Sequence, residues 1–200
     1  MEPDYVDELR KCPKKDTLVI PISKSGNTVG VLESMLSFLD YPMIAVTGKT
    51  GTLFSVAKKR GIEIIEHPEV GGRYSGRTSC GLLPAAILGL NIKDINRGAL
   101  DMYKKCDFSN PLEKNPALKI SSVMYKLDEK GYTEAFMPLY SVKLEGFNNL
   151  IVQLIHESSC KEGKGQTILG ALAPESQHHT NQRFFGGRKN IFGIFIRIVK

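Results

Sequence analysis

Between residues 16 and 65 the chain alternates short apolar runs with stretches of helical spacing, and this alternation restricts the fold more than any other feature. Residues 16–22 (DTLVIPI) form an apolar run that ends in a Ser/Gly turn and reads as a buried strand. Across residues 28–39 the apolar side chains fall at Val29, Leu32, Met35, Leu36 and Leu39, the spacing of one helix face. Residues 42–47 read as the next strand, 52–60 as a short helix stopped by Gly61, and 62–65 as a third strand. Strand, helix, strand, helix, strand in this order predicts a parallel sheet covered on both faces. The expected class is α/β, a three-layer α/β/α sandwich with parallel sheets.

The second half carries a similar order of elements without a detectable sequence repeat. Helices are expected over 77–88, 91–105, 112–129 and 146–160, the last with an apolar face of Leu150, Ile151, Leu154 and Ile155. Strands are expected over 134–140, 167–172 and 190–199. A boundary near residue 92 divides the chain into two partial subdomains, 1–92 and 93–200. A closing apolar strand such as Ile191 to Ile196 needs neighbours, because a bare hydrophobic edge invites aggregation. The expectation is therefore a portion of a larger assembly.

Composition narrows the functional classes. An apolar content of 42% with 24% charged residues excludes general disorder. No run reaches the roughly 18–20 apolar residues of a membrane span, and the charged opening residues lack a secretory pattern, so a cytoplasmic protein is expected. Cys12, Cys80, Cys106 and Cys160 are scattered and are read as reduced, mainly structural thiols. His67, His156, His178 and His179 do not show a metal-ligand spacing, and no metal is implied. The net charge of +6 collects in Arg183, Arg188, Lys189, Arg197 and Lys200, after the last acidic residue, Glu175. The remainder of the chain is close to balanced and lacks the aromatic–basic interleaving of an RNA-binding sheet, which argues against nucleic acid as the partner.

Four short segments could carry chemistry. Residues 23–28, Ser-Lys-Ser-Gly-Asn-Thr, join the first strand to the first helix. Backbone N–H groups and the positive helix end favour an anion at such a junction, and the hydroxyls of Ser23, Ser25 and Thr28 with the Lys24 ammonium add donors and charge. The plainer reading is a helix start capped by Thr28. Arg73 follows Gly71 and Gly72, which permit close approach of a ligand, and its guanidinium can hold negative charge on substrate oxygens. Taken alone it would read as a surface arginine. Gln153 and Glu157 lie four apart and share a helix face, either as a substrate-side pair or as a solvated polar face. His178 lies in Ser176-Gln177-His178; an imidazole is suited to moving protons, and His179 competes on residue type alone.

Taken in order, residues 23–28, the Gly-Gly-Arg-Tyr-Ser of 71–75, the pattern Gln153-x-x-x-Glu157-Ser158-x-x-Lys161 and Ser176-Gln177-His178 resemble the glucose-6-phosphate isomerase family and its sugar isomerase domain. The resemblance covers most of the chain from about Pro3 onward. It implies an aldose–ketose isomerase of glycolysis and gluconeogenesis that interconverts glucose 6-phosphate and fructose 6-phosphate by enediolate proton transfer. It further implies that Ser23, Lys24, Ser25 and Thr28 bind phosphate, while Gly72 and Gln153 contact the substrate. Arg73 would stabilise the enediolate, Glu157 would move the proton, and His178 would assist ring opening, reaching the site from the other subunit of a homodimer. The implied partner is a small sugar phosphate, with no organic cofactor, nucleic acid or membrane.

The pattern also departs from that family. A glycine-rich turn with a phosphate-contacting serine precedes the loop in family members, and a C-terminal helix bearing a lysine and a glutamine follows the histidine segment. Neither has a counterpart here, so the chain resembles the family's central portion. Gly30 occupies the place of a glutamate credited with orienting the histidine. These departures support the alternative, a catalytically inactive sugar-phosphate-binding fragment or regulatory module.

Overall fold

The structure is a computed structural model that describes residues 2–198. It divides into two compact units, Met1–Leu100 and Asp101–Lys200. The division falls within one helix, Ile92–Lys105, whose first residue is also where the sequence boundary was drawn.

The first unit opens with helix α1 (Pro3–Arg10), which the sequence reading did not assign. Proline in its first turn and the Glu2 carboxylate, accepting from the Asp4 and Tyr5 N–H groups, start it. The alternation then follows as β1 (Ile22–Ser23), α2 (Val29–Leu36), β2 (Ile44–Thr47), α3 (Gly51–Arg60) and β3 (Glu63–Glu66). The three strands pair in the order β1-β2-β3, all parallel. Ala45, Val46 and Thr47 of the central strand are consecutively buried, as a strand covered on both faces requires. Met35 of α2 and Leu53 and Ala57 of α3 close on Ala45 in one cluster. Gly61, at φ 65°, takes the left-handed turn that ends α3.

The first strand is far shorter than the apolar run suggested. Lys14–Asp16 form a single 3₁₀ turn, and an isolated bridge from Val19 to Met43 precedes the two-residue β1. One side of this run pairs with β2, so a ladder that could regularise residues 16–22 is present on that side alone. Beyond β3, a 3₁₀ segment (Gly72–Arg77) leads into α4 (Ser79–Ile87), where Thr78 Oγ1 accepts from the Cys80 N–H. Helix α5 (Ile92–Lys105) then runs across the division between the units.

The second unit contains α6 (Pro116–Glu129), β4 (Glu134–Leu139), α7 (Glu145–Ser159), β5 (Thr167–Leu172), α8 (Glu175–Asn181) and β6 (Ile191–Gly193). Its sheet has the order β5-β4-β6, again parallel throughout. Ala135, Met137 and Leu139 pack with Ile168 and with Ile151, Val152 and Ile155 of α7. Phe136 points to the opposite face, where its ring lies 6.4 Å from that of Phe184.

Three expectations change here. Leu150, expected on the packed face of α7, is 47% exposed, and Val152 is among the residues that pack instead. The helix is turned so that His156 reaches the sheet, where its Nε2 accepts the Ile168 N–H at 2.9 Å. Helix α6 starts at Pro116 rather than 112 because the fully buried Asn115 caps it, accepting from the Leu118 N–H at 3.0 Å and donating to the Asp107 carbonyl. The last strand is three residues long, followed by a bridge between Leu139 and Ile196; Val199, the expected end of that strand, lies outside the described residues. The four cysteines are free thiols, and no helix among the described residues is long and apolar enough to cross a membrane.

Candidate functional site

In the first unit, the 23–28 segment leaves the carboxyl end of β1 and enters α2. Ligands of open parallel sheets gather at this end of the strands. Thr28 occupies the N-cap position of α2 yet makes no side-chain cap. Its Oγ1 lies instead 2.8 Å from the Oγ of the buried Ser23, which also accepts the Thr28 N–H at 3.4 Å. The plain capping role considered for Thr28 is therefore not what the side chain does. The two hydroxyls form one linked pair at the mouth of the helix, where the N–H groups of Val29 and Gly30 precede the first helical bonds, which run from Val31 and Leu32 to the Thr28 carbonyl.

A second loop, residues 47–52 (Thr-Gly-Lys-Thr-Gly-Thr), holds the first in shape. The fully buried Thr47 donates its hydroxyl to the Ser23 carbonyl at 2.8 Å, and the Gly48 N–H donates to the Lys24 carbonyl at 3.1 Å. The Asn27 side-chain oxygen accepts from both the N–H and the hydroxyl of Thr52, at 2.9 and 3.0 Å, while the Leu53 N–H donates to the Gly26 carbonyl at 2.8 Å. The sequence reading passed over this loop. Its signal was present, since Thr-Gly-Lys-Thr-Gly-Thr shares three hydroxyl residues, a lysine and a glycine with Ser-Lys-Ser-Gly-Asn-Thr and likewise joins a strand to a helix.

The two loops approach so closely that only glycine fits at the contact. Gly51, at φ 90°, has no room for a Cβ, which would collide with the Ser25 carbonyl oxygen. At Gly26, φ 67°, a Cβ would stand 2.7 Å from the Thr50 carbonyl oxygen. Gly51→Ala is expected to destabilise the first unit by about 1–3 kcal/mol, combining left-handed strain with the forced separation of the loops. Urea unfolding of the variant should show it, together with altered amide shifts across residues 23–28. An unchanged midpoint would mean that the loops part without cost.

Lys24 extends from the loop to Glu69, with Nζ 3.3 Å from Oε2. Both groups are substantially exposed, so the pair is worth about 0–1 kcal/mol and is open to competition from an anion. Glu69 lies shortly before Gly72 and Arg73, so this contact brings the loop and the Gly-Gly-Arg segment together within the unit. Gly72 and Arg73 begin the 3₁₀ turn, which Ser75 tightens by donating to the Gly72 carbonyl at 2.7 Å. Arg73 is exposed. A Cβ at Gly72 would meet nothing within 4 Å, so internal packing does not require glycine there. The same holds for Gly30 in the first turn of α2.

In the second unit, Gln153 and Glu157 lie on the exposed side of α7, opposite its packed residues. Gln153 Nε2 donates to Glu157 Oε1 at 2.9 Å. The shared face expected from their spacing is thus a direct contact. His178 is exposed on α8, beyond the carboxyl end of β5, and the neighbouring His179 bonds to Thr180 at 3.0 Å between Nδ1 and Oγ1. The phosphate-type loop, Gly72 and Arg73 therefore belong to the first unit, and Gln153, Glu157 and His178 to the second.

All-parallel sheets packed against helices define a parallel α/β protein. No protein-family model matches the chain. A protein of Haloarcula marismortui named probable glucose-6-phosphate isomerase is 32% identical over 194 residues, covering 91% of this chain and 44% of its own length. The glucose-6-phosphate isomerase of Methanocaldococcus jannaschii is 33% identical over 193 residues, again over 91% of this chain and 47% of its own. Among solved structures, a hypothetical protein of Thermus thermophilus superposes with a TM-score of 0.87 at 28% identity, covering 98% of this chain and 51% of the other. A glucose-6-phosphate isomerase of Chlamydia trachomatis shares the fold with a TM-score of 0.79 at 22% identity, over 97% of this chain and 42% of its own. By sequence the chain is similar to proteins named glucose-6-phosphate isomerase, and it spans about half the length of the curated relatives it matches.

Proposed function

We propose that the chain serves an isomerase of sugar phosphates, interconverting glucose 6-phosphate and fructose 6-phosphate in the cytoplasm. The observation that carries this reading is one continuous similarity to proteins named glucose-6-phosphate isomerase. It extends over 97% of the chain in one relative, from Methanococcus maripaludis, and so takes in both the loop and the Gln153–Glu157 helix. In this reading the phosphate rests at the mouth of α2, against its first-turn N–H groups, the hydroxyls of Ser23, Ser25 and Thr28, and the Lys24 ammonium. The substrate opens as His178, contributed by a second copy in a homodimer, delivers a proton to the ring oxygen; the bond from that oxygen to the anomeric carbon breaks, and the anomeric hydroxyl releases its proton to solvent to leave the carbonyl.

Glu157 then takes the proton from the carbon beside the carbonyl. The electron pair left behind forms the enediolate, whose oxygen charge Arg73 offsets; Glu157 returns the proton to the neighbouring carbon while the hydroxyl proton passes from one substrate oxygen to the other, which moves the carbonyl to the carbon that was deprotonated. The reaction is balanced without an external oxidant or reductant. Gln153, by holding one carboxylate oxygen, sets the orientation of the base. Residues 1–92 would supply phosphate and enediolate binding, and 93–200 the base and the histidine.

Gly30, standing where the family resemblance would put a glutamate, is the ground for a second reading, a module that binds sugar phosphate without turnover. The purified chain, supplied with fructose 6-phosphate and assayed for glucose 6-phosphate, separates the two. Saturable turnover is expected. Binding without turnover would support the module, and the absence of both would overturn each reading.

A further inference from the structure

Among the described residues, β5 stands at the end of the order β5-β4-β6, with β4 on its inner side. The Thr167 N–H donates to the Thr133 carbonyl and the Ala173 N–H to the Leu139 carbonyl, each at 2.9 Å, so alternate residues of β5 bond toward β4. Ile168 and Gly170 therefore turn their backbone groups to the outer side. Helix α7 takes both. The Ile168 N–H donates to His156 Nε2 at 2.9 Å, and Asn148 Nδ2 donates to the Gly170 carbonyl at 3.3 Å. The two side chains stand about two helical turns apart, so α7 is fastened to the strand near both of its ends.

These bonds do what apolar packing cannot. Ile151, Val152 and Ile155 hold the helix against the sheet, but contacts of that kind are non-directional and tolerate a small rotation. A hydrogen bond weakens steeply once it is bent, so the bond to His156 sets the rotation of α7 about its axis. His156 directly precedes Glu157, whose side chain is carried round by the same rotation. A group about 6 Å from a helix axis travels about 1 Å for each 10° of turn. A misplacement of about 1 Å at a reacting group can cost about 10²-fold in rate.

We propose that His156 is a positioning residue for proton transfer: by accepting the Ile168 N–H it fixes the rotation of α7, and with it the place of the Glu157 carboxylate. This rests on the reading of Glu157 as the base. The role also sets the form of the imidazole. Nε2 accepts only while it carries a lone pair, which leaves the ring proton on Nδ1. Leucine at this place would fill a similar volume without accepting, whereas glutamine would present an acceptor oxygen at nearly the same reach.

Two measurements on the purified chain, with His156→Leu and His156→Gln beside it, test the assignment. The first needs no turnover. Nitrogen NMR of the unaltered chain should place the proton of the neutral His156 ring on Nδ1. His156→Leu should speed exchange of the Ile168 amide at least about tenfold, while Met137 in β4 keeps its protection. It should also shift the side-chain amide of Gln153, which reports the contact with Glu157. His156→Gln should return both to the unaltered pattern. The second measurement is isomerisation of fructose 6-phosphate. His156→Leu should lower kcat at least about tenfold at nearly constant KM, and His156→Gln should bring it back to within about threefold. A ring proton on Nε2, an unmoved Gln153 signal, or a folded glutamine variant that leaves Ile168 unprotected overturns the proposal, and so does an unchanged kcat for His156→Leu in an active chain. Should the leucine variant not fold, the ring proton and the glutamine variant still decide. Where the unaltered chain shows no turnover, the catalytic reading fails by itself, and the first measurement alone decides whether His156 places Glu157.

Discussion

Glu157→Gln should lower the conversion of fructose 6-phosphate to glucose 6-phosphate by about 10²–10⁴-fold, the usual contribution of a general base. Sugar-phosphate affinity should change little. The substitution preserves shape and leaves an amide that can still meet Gln153, but it removes the carboxylate proposed to carry the proton between carbons. A fall in kcat at nearly constant KM is the signature of an interaction needed in the transition state more than in binding. Gln153→Ala provides the contrast, because it leaves the base in place while removing the 2.9 Å contact that orients it. Its loss of kcat should be smaller, on the order of tenfold, as expected for one hydrogen bond to an exposed carboxylate. A loss below tenfold for Glu157→Gln would place the base elsewhere, and an equal loss of binding would make Glu157 a structural residue. Isothermal titration with a sugar phosphate, run beside the turnover assay, separates these outcomes.

What could be read from the sequence follows from how local each cause is. The strand–helix alternation of the first unit, the left-handed stop at Gly61 and the contact between Gln153 and Glu157 arise from spacing within a few residues. The length of β1 was not legible, because a strand extends only as far as its neighbours pair with it. The rotation of α7 was hidden for a similar reason. Four apolar residues suggested the packed face, but the bond from the Ile168 N–H to His156 depends on a partner in another element. The interlock of the 23–28 and 47–52 loops is likewise non-local, although the Gly51 contact that enforces it is a single residue. Sequence also left open whether Thr28 caps its helix, which was settled by the proximity of the Ser23 hydroxyl. The candidate site residues were put forward from ordered motifs, whereas the residues that position them needed distances.

The loop of residues 23–28 should bind inorganic phosphate in the purified chain, because its donors come from one turn, one helix start and the adjoining loop of the same unit. Binding should appear as saturable shifts of the amides of residues 23–29 at millimolar phosphate. A helix end of this kind contributes about 0.3–1 kcal/mol for an exposed anion, and added hydroxyl and ammonium contacts raise the total only modestly. Lys24→Ala combined with Thr28→Val should abolish the shifts, since the pair removes the ammonium and half of the linked hydroxyls. Glu69 gives the prediction a sign that simple loss of structure cannot imitate. Its carboxylate holds Lys24 at 3.3 Å and must be displaced by an incoming anion. Glu69→Gln should therefore tighten phosphate binding, by up to about fivefold for an exposed pair. The gain should shrink as salt screens the competing charge. Glu157→Gln should leave the titration unaltered. If phosphate leaves residues 23–29 unshifted in a folded sample, or if Glu69→Gln weakens binding, Lys24 and its loop are not the phosphate site.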